Sequence, residues 1–320
     1  MSEPPAPAAA SPFHLGERAV QTRAQVPASL EAMARHMIRD FMPDQHREFF
    51  AELPFVVLGT VDAEGQPWAT LLAQPPGFAH SPDPQHLVIH TVPRAPDPAS
   101  ANLRPGALIG LLGIEPQTRR RNRMNGRVTA LTAQSIEIEV LQSFGNCPKY
   151  IQARAAQFVA EMPSPASAMR ATQLDARTSR MISEADTFFI ASAHPASGAA
   201  PARAEGVDVS HRGGKPGFVH VCGATLTVPD FAGNRLFNTL GNLTLEPRAG
   251  LLFVDFNHGD VLYLAVSAEI VWDGDELASF TGAERLLRFT VHEVLYVPGS
   301  LALRWGAVAP SPFVANTGAW

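Results

Sequence analysis

Cysteine is scarce in this sequence of 320 residues, where only Cys147 and Cys222 occur. Two cysteines cannot form a disulfide framework, so we expect the chain to work in a reducing, cytoplasmic compartment. No run of about 18 apolar residues appears, which argues against a membrane-spanning helix. The opening stretch MSEPPAPAAASPF lacks the basic and apolar parts of a signal peptide. With a net charge of −5 the chain has no overall attraction for nucleic acid.

The common catalytic signatures are missing as well. The histidines form no HExxH pair and neither cysteine belongs to a CxxC pair, so metal catalysis has no support in the sequence. The GxSxG, P-loop and Rossmann glycine patterns do not occur either.

A weak internal repeat is the most informative feature that is present. FFAELPFVVLGTVDAEGQPWAT, residues 49–70, and MISEADTFFIASAHPASGAAPAR, residues 181–203, both lead from a helix end into an apolar strand, a turn and a second strand. Very apolar segments follow at residues 107–114 and 249–256, as expected for buried central strands. Repeated short strands bounded by turns predict a mainly β fold, with two tandem antiparallel barrels forming an internal pseudo-dimer.

Helices and a linker are expected between the repeated strands. Ser29 is predicted to cap a helix over SLEAMARHMIRDF, and further helices over residues 149–161 and 171–184 should bridge the two repeats. MPSPASAM, residues 162–169, is the expected linker. The predicted organisation is a lead-in with a helix (1–43), a first repeat (44–165) and a second repeat (166–320) with the better-equipped cofactor site.

The order of these elements resembles the pyridoxamine 5'-phosphate oxidase-like FMN-binding split barrels. LPFVVLGTVDAEGQPWAT, NCPKYI and NRLFNTLGNLTLEPRAGLLFVDF carry the resemblance, which covers most of residues 44–310 and is best in the second repeat. It implies split β-barrels with FMN in a groove between two of them. Because such barrels usually dimerise, a homodimer of pseudo-dimers is one expected assembly.

FMN requires cations and hydrogen-bond donors for its phosphate and an apolar bed for its ring. DVSHRGGKPGF, residues 208–218, offers donors around a Gly-Gly turn whose amides could face an anion, and NRLFNTLGN, residues 234–242, offers donors at helical spacing. In the family a serine and a basic residue here hold the phosphate. Asn238 and Thr239 stand near the basic position, which shifts the predicted contact to Arg235 and Arg212. The candidates are Ser210, His211, Arg212, Lys215, Arg235, Asn238, Thr239 and Asn242.

Each of these stretches also has a structural interpretation. The Gly-Gly segment is compatible with a surface hairpin, and the donors of NRLFNTLGN are compatible with a solvated helix face. The basic run TRRRNRMNGR, residues 118–127, is typical of a solvated hairpin tip, with the Asn125-Gly126 pair favouring the turn. In the family, however, the matching strand carries basic or amide groups to the cofactor, which makes Arg121, Arg123 and Asn125 candidates.

The segment QSFGNCPKYIQ, residues 142–152, contains Cys147. Asn146 and Pro148 are typical of a helix start, so Cys147 is expected near a helix N-terminus, where the pKa of a thiol falls. The sequence identifies no base for a nucleophilic cysteine. We therefore expect Cys147 to be a small residue in a tight joint, and Lys149 to be the contact to a cofactor or anion.

These observations predict an FMN-binding flavoprotein, an oxidoreductase that passes hydride or electrons through the flavin to or from a small molecule. A reduced nicotinamide or a partner reductase would supply the electrons. One alternative is a non-catalytic flavin- or haem-binding protein on the same fold. Another is a degenerate barrel that serves only as an assembly surface.

Overall fold

The computed structural model describes residues 11–160, 167–198 and 203–320. None of the helices in these ranges is long and apolar enough to cross a membrane. The α-helices are α1 (Leu15–Arg23), α2 (Ser29–Met37), α3 (Asp44–Glu52), α4 (Ala176–Glu184), α5 (Asn238–Leu245) and α6 (Asp275–Ser279).

Strands make up the larger part of the regular secondary structure, which confirms the mainly β fold. In the first half they are β1 (Phe55–Val61), β2 (Pro67–Ala73), β3 (Ala79–Asp83), β4 (His86–Ile89), β5 (Leu108–Glu115), β6 (Arg120–Leu131), β7 (Ile136–Gly145) and β8 (Ala156–Phe158). In the second half they are β9 (Met169–Ala171), β10 (Thr187–Ala193), β11 (Val207–Gly213), β12 (His220–Cys222), β13 (Thr225–Phe231), β14 (Arg248–Val254), β15 (Val261–Val271), β16 (Ala283–Val297) and β17 (Leu303–Trp305).

Two large antiparallel sheets have the same strand order. The first runs β2-β1-β5-β6-β7-β4-β3 and the second runs β11-β10-β14-β15-β16-β13-β12. The two stretches predicted as an internal repeat therefore fall in two sheets of the same topology, while a pseudo-dimer with a cofactor between its halves remains a prediction. The predicted boundary at residues 165 and 166 and most of the predicted linker lie outside the described residues.

Two glycines hold the same position in the two sheets. Gly110 lies in β5 and Gly250 in β14. A Cβ on Gly110 would lie 2.6 Å from the carbonyl oxygen of Val207, and a Cβ on Gly250 would overlap that of Pro67. Val207 and Pro67 begin the edge strands β11 and β2, so each glycine lets its sheet pack against the edge strand of the other sheet.

A second pair of similar segments relates the two halves of the chain. PPGFAH, residues 75–80, and KPGFVH, residues 215–220, follow β2 and β11 at the same distance. Gly77 and Gly217 both have positive φ, at 94° and 88°. Each residue from β2 to β6 therefore has a counterpart between β11 and β15. The two residue numbers always differ by the same amount, which is the difference between Gly110 and Gly250.

Of the apolar clusters in the described core, the three largest lie one in each sheet and a third between the sheets. In the third cluster, Val57 and Leu112 of the first sheet pack with Phe189 and Leu252 of the second. All four side chains are almost fully buried. Apolar burial of this kind contributes about 25 cal/mol per Å² and joins the two sheets into one hydrophobic unit.

Two predictions about helices are wrong. Residues 149–160 do not form a helix: Ala153 pairs with Ala309, and β8 pairs with β17 near the C-terminus. This long-range pairing outweighs the helix propensity of the segment, which is a local quantity. Ser29 does not cap α2 but is its first residue, and the cap position belongs to Ala28, which makes no side-chain bond to the helix. The helix predicted over residues 171–184 is present but shorter, since α4 covers Ala176–Glu184 and Ala171 belongs to β9.

The Asn125-Gly126 pair is not a turn. It lies inside β6, where the pairing with β7 shifts register between Asn125 and Gly126. The connection from β6 to β7 is at residues 132–135, where the Thr132 amide bonds to the Ser135 carbonyl. A Cβ on Gly126 would come 2.5 Å from the Glu139 carbonyl oxygen, so the glycine serves a close approach of two strands at a bulge.

Candidate functional site

A cleft lies where β6 of the first sheet meets β11, β13 and the start of α5 in the second half. Its cavity volume is about 120 Å³. Nine of the twelve candidate residues line it: Arg121, Arg123, Lys149, Ser210, His211, Arg212, Arg235, Asn238 and Thr239. Residues far apart in the sequence are therefore brought together by the packing of the two sheets.

Arg121 and Arg123 alternate along β6 and so project from the same face. Arg121 Nε donates to the Cys147 carbonyl at 2.6 Å, and its Nη1 donates to the His211 carbonyl at 3.3 Å. Burial lowers the pKa of Arg121 to about 10, with the Arg123 charge adding to the effect. The run 118–127 combines both interpretations: Thr118 and Arg120 are exposed at the connection between β5 and β6, as at a solvated hairpin tip, whereas Arg123 further along β6 is only 4% exposed.

Buried donors without acceptors are the most informative feature of the cleft. Arg123 Nη1 donates to Asn238 Oδ1 at 2.9 Å, and Arg212 forms an ion pair with Asp230. The Nε atoms of Arg123 and Arg212 are buried, yet neither has a hydrogen-bond partner in the described part of the chain. A buried unpaired donor costs about 1–3 kcal/mol. An oxyanion in the cleft would supply the missing acceptors.

Hydroxyl groups and a helix end complete the donor set. Ser210 Oγ and Thr239 Oγ1 are 2.8 Å apart, so one hydroxyl can donate to the other and the second can point elsewhere. The first turn of α5 lines the cleft and has no side-chain cap. Its free N–H groups and the helix dipole favour a negative charge at this position.

Two candidate residues lie behind the cleft instead of in it. Asn125 Nδ2 donates to Asp208 Oδ1 at 2.8 Å, and Asn242 Nδ2 donates to Asp208 Oδ2 at 3.0 Å. Asp208 in turn faces Arg123 Nη1 at 3.3 Å. The two asparagines therefore hold the carboxylate that orients Arg123. Asp208 begins the stretch DVSHRGGKPGF but was not among the residues predicted for the site.

Helix α1 adds a further residue that the sequence analysis missed. Glu17 is buried, accepts the His14 amide at 2.9 Å and accepts a hydrogen bond from Asn238 Nδ2. Burial and the nearby Asp208 charge raise the pKa of Glu17 well above its ordinary value. The segment taken as a lead-in thus fixes the amide that binds Arg123. The capping pattern of His14 with Glu17 three residues later is a signal that could have located this helix start.

The Gly-Gly segment does not bind an anion through its amides. The Gly214 amide bonds to the Asp186 carbonyl at 3.0 Å, and Gly213 lies in β11 against Tyr150. Lys215 lies outside the cleft, because its Nζ donates to the carbonyls of Thr317 and Ala315 at 2.6 and 3.3 Å. The Gly-Gly segment therefore packs tightly against Tyr150, and Lys215 contacts the C-terminal segment.

The joint at residues 146–150 differs from the prediction. No helix begins there, so Cys147 does not lie at a helix N-terminus. Tyr150 has a left-handed φ of 64°, and its ring lies 5.0 Å from Phe231 and 6.2 Å from Phe313. Lys149 Nζ lies 5.3 Å from the Phe313 ring. Lys149 and Tyr150 both line the cleft, with Tyr150 and Phe231 forming an aromatic wall.

Residues 42–170 match the family model described as pyridoxamine 5'-phosphate oxidase. This match confirms the resemblance inferred from the sequence. It falls on the first repeat and the joint, whereas the resemblance was expected to be best in the second repeat. No curated protein matches the chain.

Several solved structures are similar to this chain, each with low sequence identity. They include HupZ of Group A Streptococcus (12% identity, TM-score 0.27, covering 32% of this chain and 93% of HupZ). A FAD-binding protein of Mesorhizobium loti has 11% identity and a TM-score of 0.28, covering 42% of this chain and 99% of its own. The inhibitor of motility MotI of Bacillus subtilis has 10% identity and a TM-score of 0.21, covering 74% and 87%. Such values do not establish a shared function.

Proposed function

We propose that this protein is an FMN-binding flavoprotein that holds the FMN phosphate in the cleft between its two sheets. The observation that carries the proposal is the pair of buried, unpaired Nε atoms of Arg123 and Arg212. A phosphate offers several charged acceptors to such donors, and arginine is well suited to bind it. The family match over residues 42–170 supports a flavin as the phosphate-bearing ligand.

The residues of the cleft fit the phosphate end of FMN. Arg121, Arg123 and Arg212 supply positive charge, and Ser210 and Thr239 supply hydroxyl donors. The cavity of about 120 Å³ is smaller than the roughly 300–1,000 Å³ typical of pockets that enclose a whole ligand. The enclosed part is therefore sized for the phosphate, and the ring would extend beyond it, where the aromatic wall offers an apolar surface.

We further propose that the protein is an oxidoreductase acting on a small molecule or exchanging electrons with a partner reductase. Bound FMN would supply the hydride or electron transfer. The chain would supply binding and electrostatics. Arginine charges near the phosphate fix one end of the ligand, and burial keeps water from competing with them.

The decisive test is a visible absorption spectrum of the purified protein, followed by release and identification of the chromophore. FMN dissociation constants would then be measured for wild type, Arg123→Ala, Arg212→Ala and Arg235→Ala. Loss of a charge-assisted hydrogen bond costs about 1.5–3 kcal/mol, so we expect affinity to fall roughly 10–100-fold. The effect should be largest for Arg123→Ala and Arg212→Ala.

Arg94→Ala is the matched control, because Arg94 is exposed in the loop that occupies the corresponding place in the first half. It should bind FMN like wild type. Equal FMN content in all the variants would contradict the proposed site. A Soret band would instead favour the haem-binding alternative, and a colourless protein that ignores added FMN would refute the flavoprotein.

A further inference from the structure

A second position in the molecule is equivalent to the cleft by strand register. Leu112 of β5 pairs with Arg123 of β6, and at the same place in the other sheet Leu252 of β14 pairs with Tyr263 of β15. Likewise, the pairing of β1 with β2 at Thr70 is equivalent to the pairing of β10 with β11 at Ser210. The cleft formed by β6 and β11 thus has a counterpart formed by β15 and β2.

The counterpart has lost the positive charge of the cleft. By the shared offset in residue number, Arg121, Arg123 and Arg212 correspond to Val261, Tyr263 and Leu72. Of the side chains that would hold a phosphate, only the hydroxyl of Ser210 has an equivalent, Thr70. The supporting amide is also retained, since Asn102 Nδ2 donates to Thr60 Oγ1 at 3.0 Å as Asn242 Nδ2 donates to Ser192 Oγ at 3.2 Å.

A carboxyl group of the chain itself fills the counterpart. Asp97 Oδ2 accepts hydrogen bonds from Thr70 Oγ1 and, at 3.0 Å, from the Tyr263 hydroxyl. Its Oδ1 accepts the Ala99 amide at 2.8 Å and so caps the short helix Pro98–Ala101. The residue at the equivalent place before α5 is Phe237, which leaves that helix without a side-chain cap.

Asp97 therefore makes the contacts that an external anion would make in the cleft. It accepts from the hydroxyl on the edge strand, from the side chain on the facing β-strand and from the first turn of the following helix. Burial of the carboxyl raises the pKa of Asp97. Burial of the hydroxyl and the nearby Asp97 charge raise the pKa of Tyr263 well above its ordinary value.

We propose that only one of the two register-equivalent positions is an open anion site, and that Asp97 closes the other. FMN, or inorganic phosphate as a simpler probe, then binds once per chain and between β6 and β11. The one-site claim rests on the proposed function only for the identity of the ligand, since the charges and hydrogen bonds concern any phosphate-bearing anion.

Equilibrium dialysis and calorimetry with FMN and separately with inorganic phosphate would test the claim on the full chain. We expect one ligand per chain for each probe and competition between the two. Arg123→Ala should reduce affinity for both probes at least 10-fold. Asp97→Asn should leave the stoichiometry at one and the affinity within about twofold, because the amide can keep the Ala99, Thr70 and Tyr263 hydrogen bonds.

The outcomes separate this inference from the proposed function. Two FMN molecules per chain would overturn the one-site claim and leave the flavoprotein intact. One phosphate per chain that depends on Arg123, without FMN binding, would support the claim and refute the flavoprotein. Binding that survives Arg123→Ala but is abolished by Asp97→Asn would place the anion at the wrong position and overturn the claim, as would the binding of neither probe.

Discussion

At the residue scale, the same backbone position has opposite chemistry in the two halves. Arg123 brings a buried positive charge with an unpaired Nε into the cleft, whereas Tyr263 brings a hydroxyl that donates to Asp97. The charge of Arg123 is tolerated because Asp208 and Asn238 contact its guanidinium. Together with the replacement of Arg121 and Arg212 by Val261 and Leu72 and the presence of Asp97, this difference leaves an unpaired donor in the cleft while the Tyr263 hydroxyl has an acceptor within the chain.

The buried carboxyl of Asp97 predicts a specific dependence of stability on pH. Its pKa is raised in the folded protein, chiefly by burial. Between the ordinary carboxyl pKa and this raised value, the folded chain keeps a proton that the unfolded chain has lost. The contribution of Asp97 to stability is therefore full at low pH and falls as the pH rises through the folded pKa.

Asp97→Asn removes this titration while keeping the hydrogen bonds. We expect the variant to match wild type near pH 4 and to become the more stable of the two by on the order of 1 kcal/mol as the pH increases to 8. Chemical denaturation at a series of pH values would measure the difference. A constant difference across the series would show that Asp97 does not titrate in this range.

At the element scale, helix α1 supports the site through close contact with α5. A Cβ on Gly16 would overlap the carbonyl oxygen of Gly241, so the two helices approach through glycine. This approach places Glu17 against Asn238, which binds Arg123. Helix α1, although distant in sequence, thus helps to orient Arg123 in the cleft through Glu17 and Asn238.

Gly16→Ala should separate these helices. We expect a loss of about 1–3 kcal/mol in stability from overpacking and weaker FMN binding, because Glu17 would no longer hold Asn238. Thermal melting and FMN titration would measure both effects. Gly206→Ala is the control, since a Cβ there meets open space and its φ is not positive. Weakened FMN binding in the control, or unchanged stability in Gly16→Ala, would argue against this role of α1.

At the scale of the whole molecule, the two sheets behave as one hydrophobic unit. Gly110 and Gly250 let each sheet meet the edge strand of the other, and the apolar cluster around Val57 and Phe189 fills the space between them. The cleft exists only because of this packing, since its arginines come from both halves of the chain.

Gly250→Ala tests this coupling. The added methyl group would overlap the Pro67 carbonyl oxygen, which belongs to rigid backbone. We expect a destabilisation of about 1–3 kcal/mol together with weaker FMN binding, although Gly250 does not line the cleft. Unfolding followed by tryptophan fluorescence and by FMN release should show one shared transition. Two separate transitions would indicate that the sheets unfold independently.

The sequence alone determined the elements that depend on local patterns. Apolar segments bounded by turns located β1, β5 and β14, and their repetition indicated two related halves. Nine of the residues predicted as cofactor contacts line the cleft, some of them chosen from the spacing of donors and others, such as Arg121 and Arg123, from the family resemblance. These features are encoded in neighbouring residues, so periodicity and turn chemistry are enough to recover them.

Only the tertiary structure decided the features that depend on distant contacts. Residues 149–160 look helical but pair with the C-terminal segment, and Asn125-Gly126 resembles a turn but forms a bulge against β7. Glu17, Asp208 and Asp97 acquired their roles from partners far along the chain. A buried charge or donor is defined by what surrounds it, and those surroundings exist only once the two sheets have packed together.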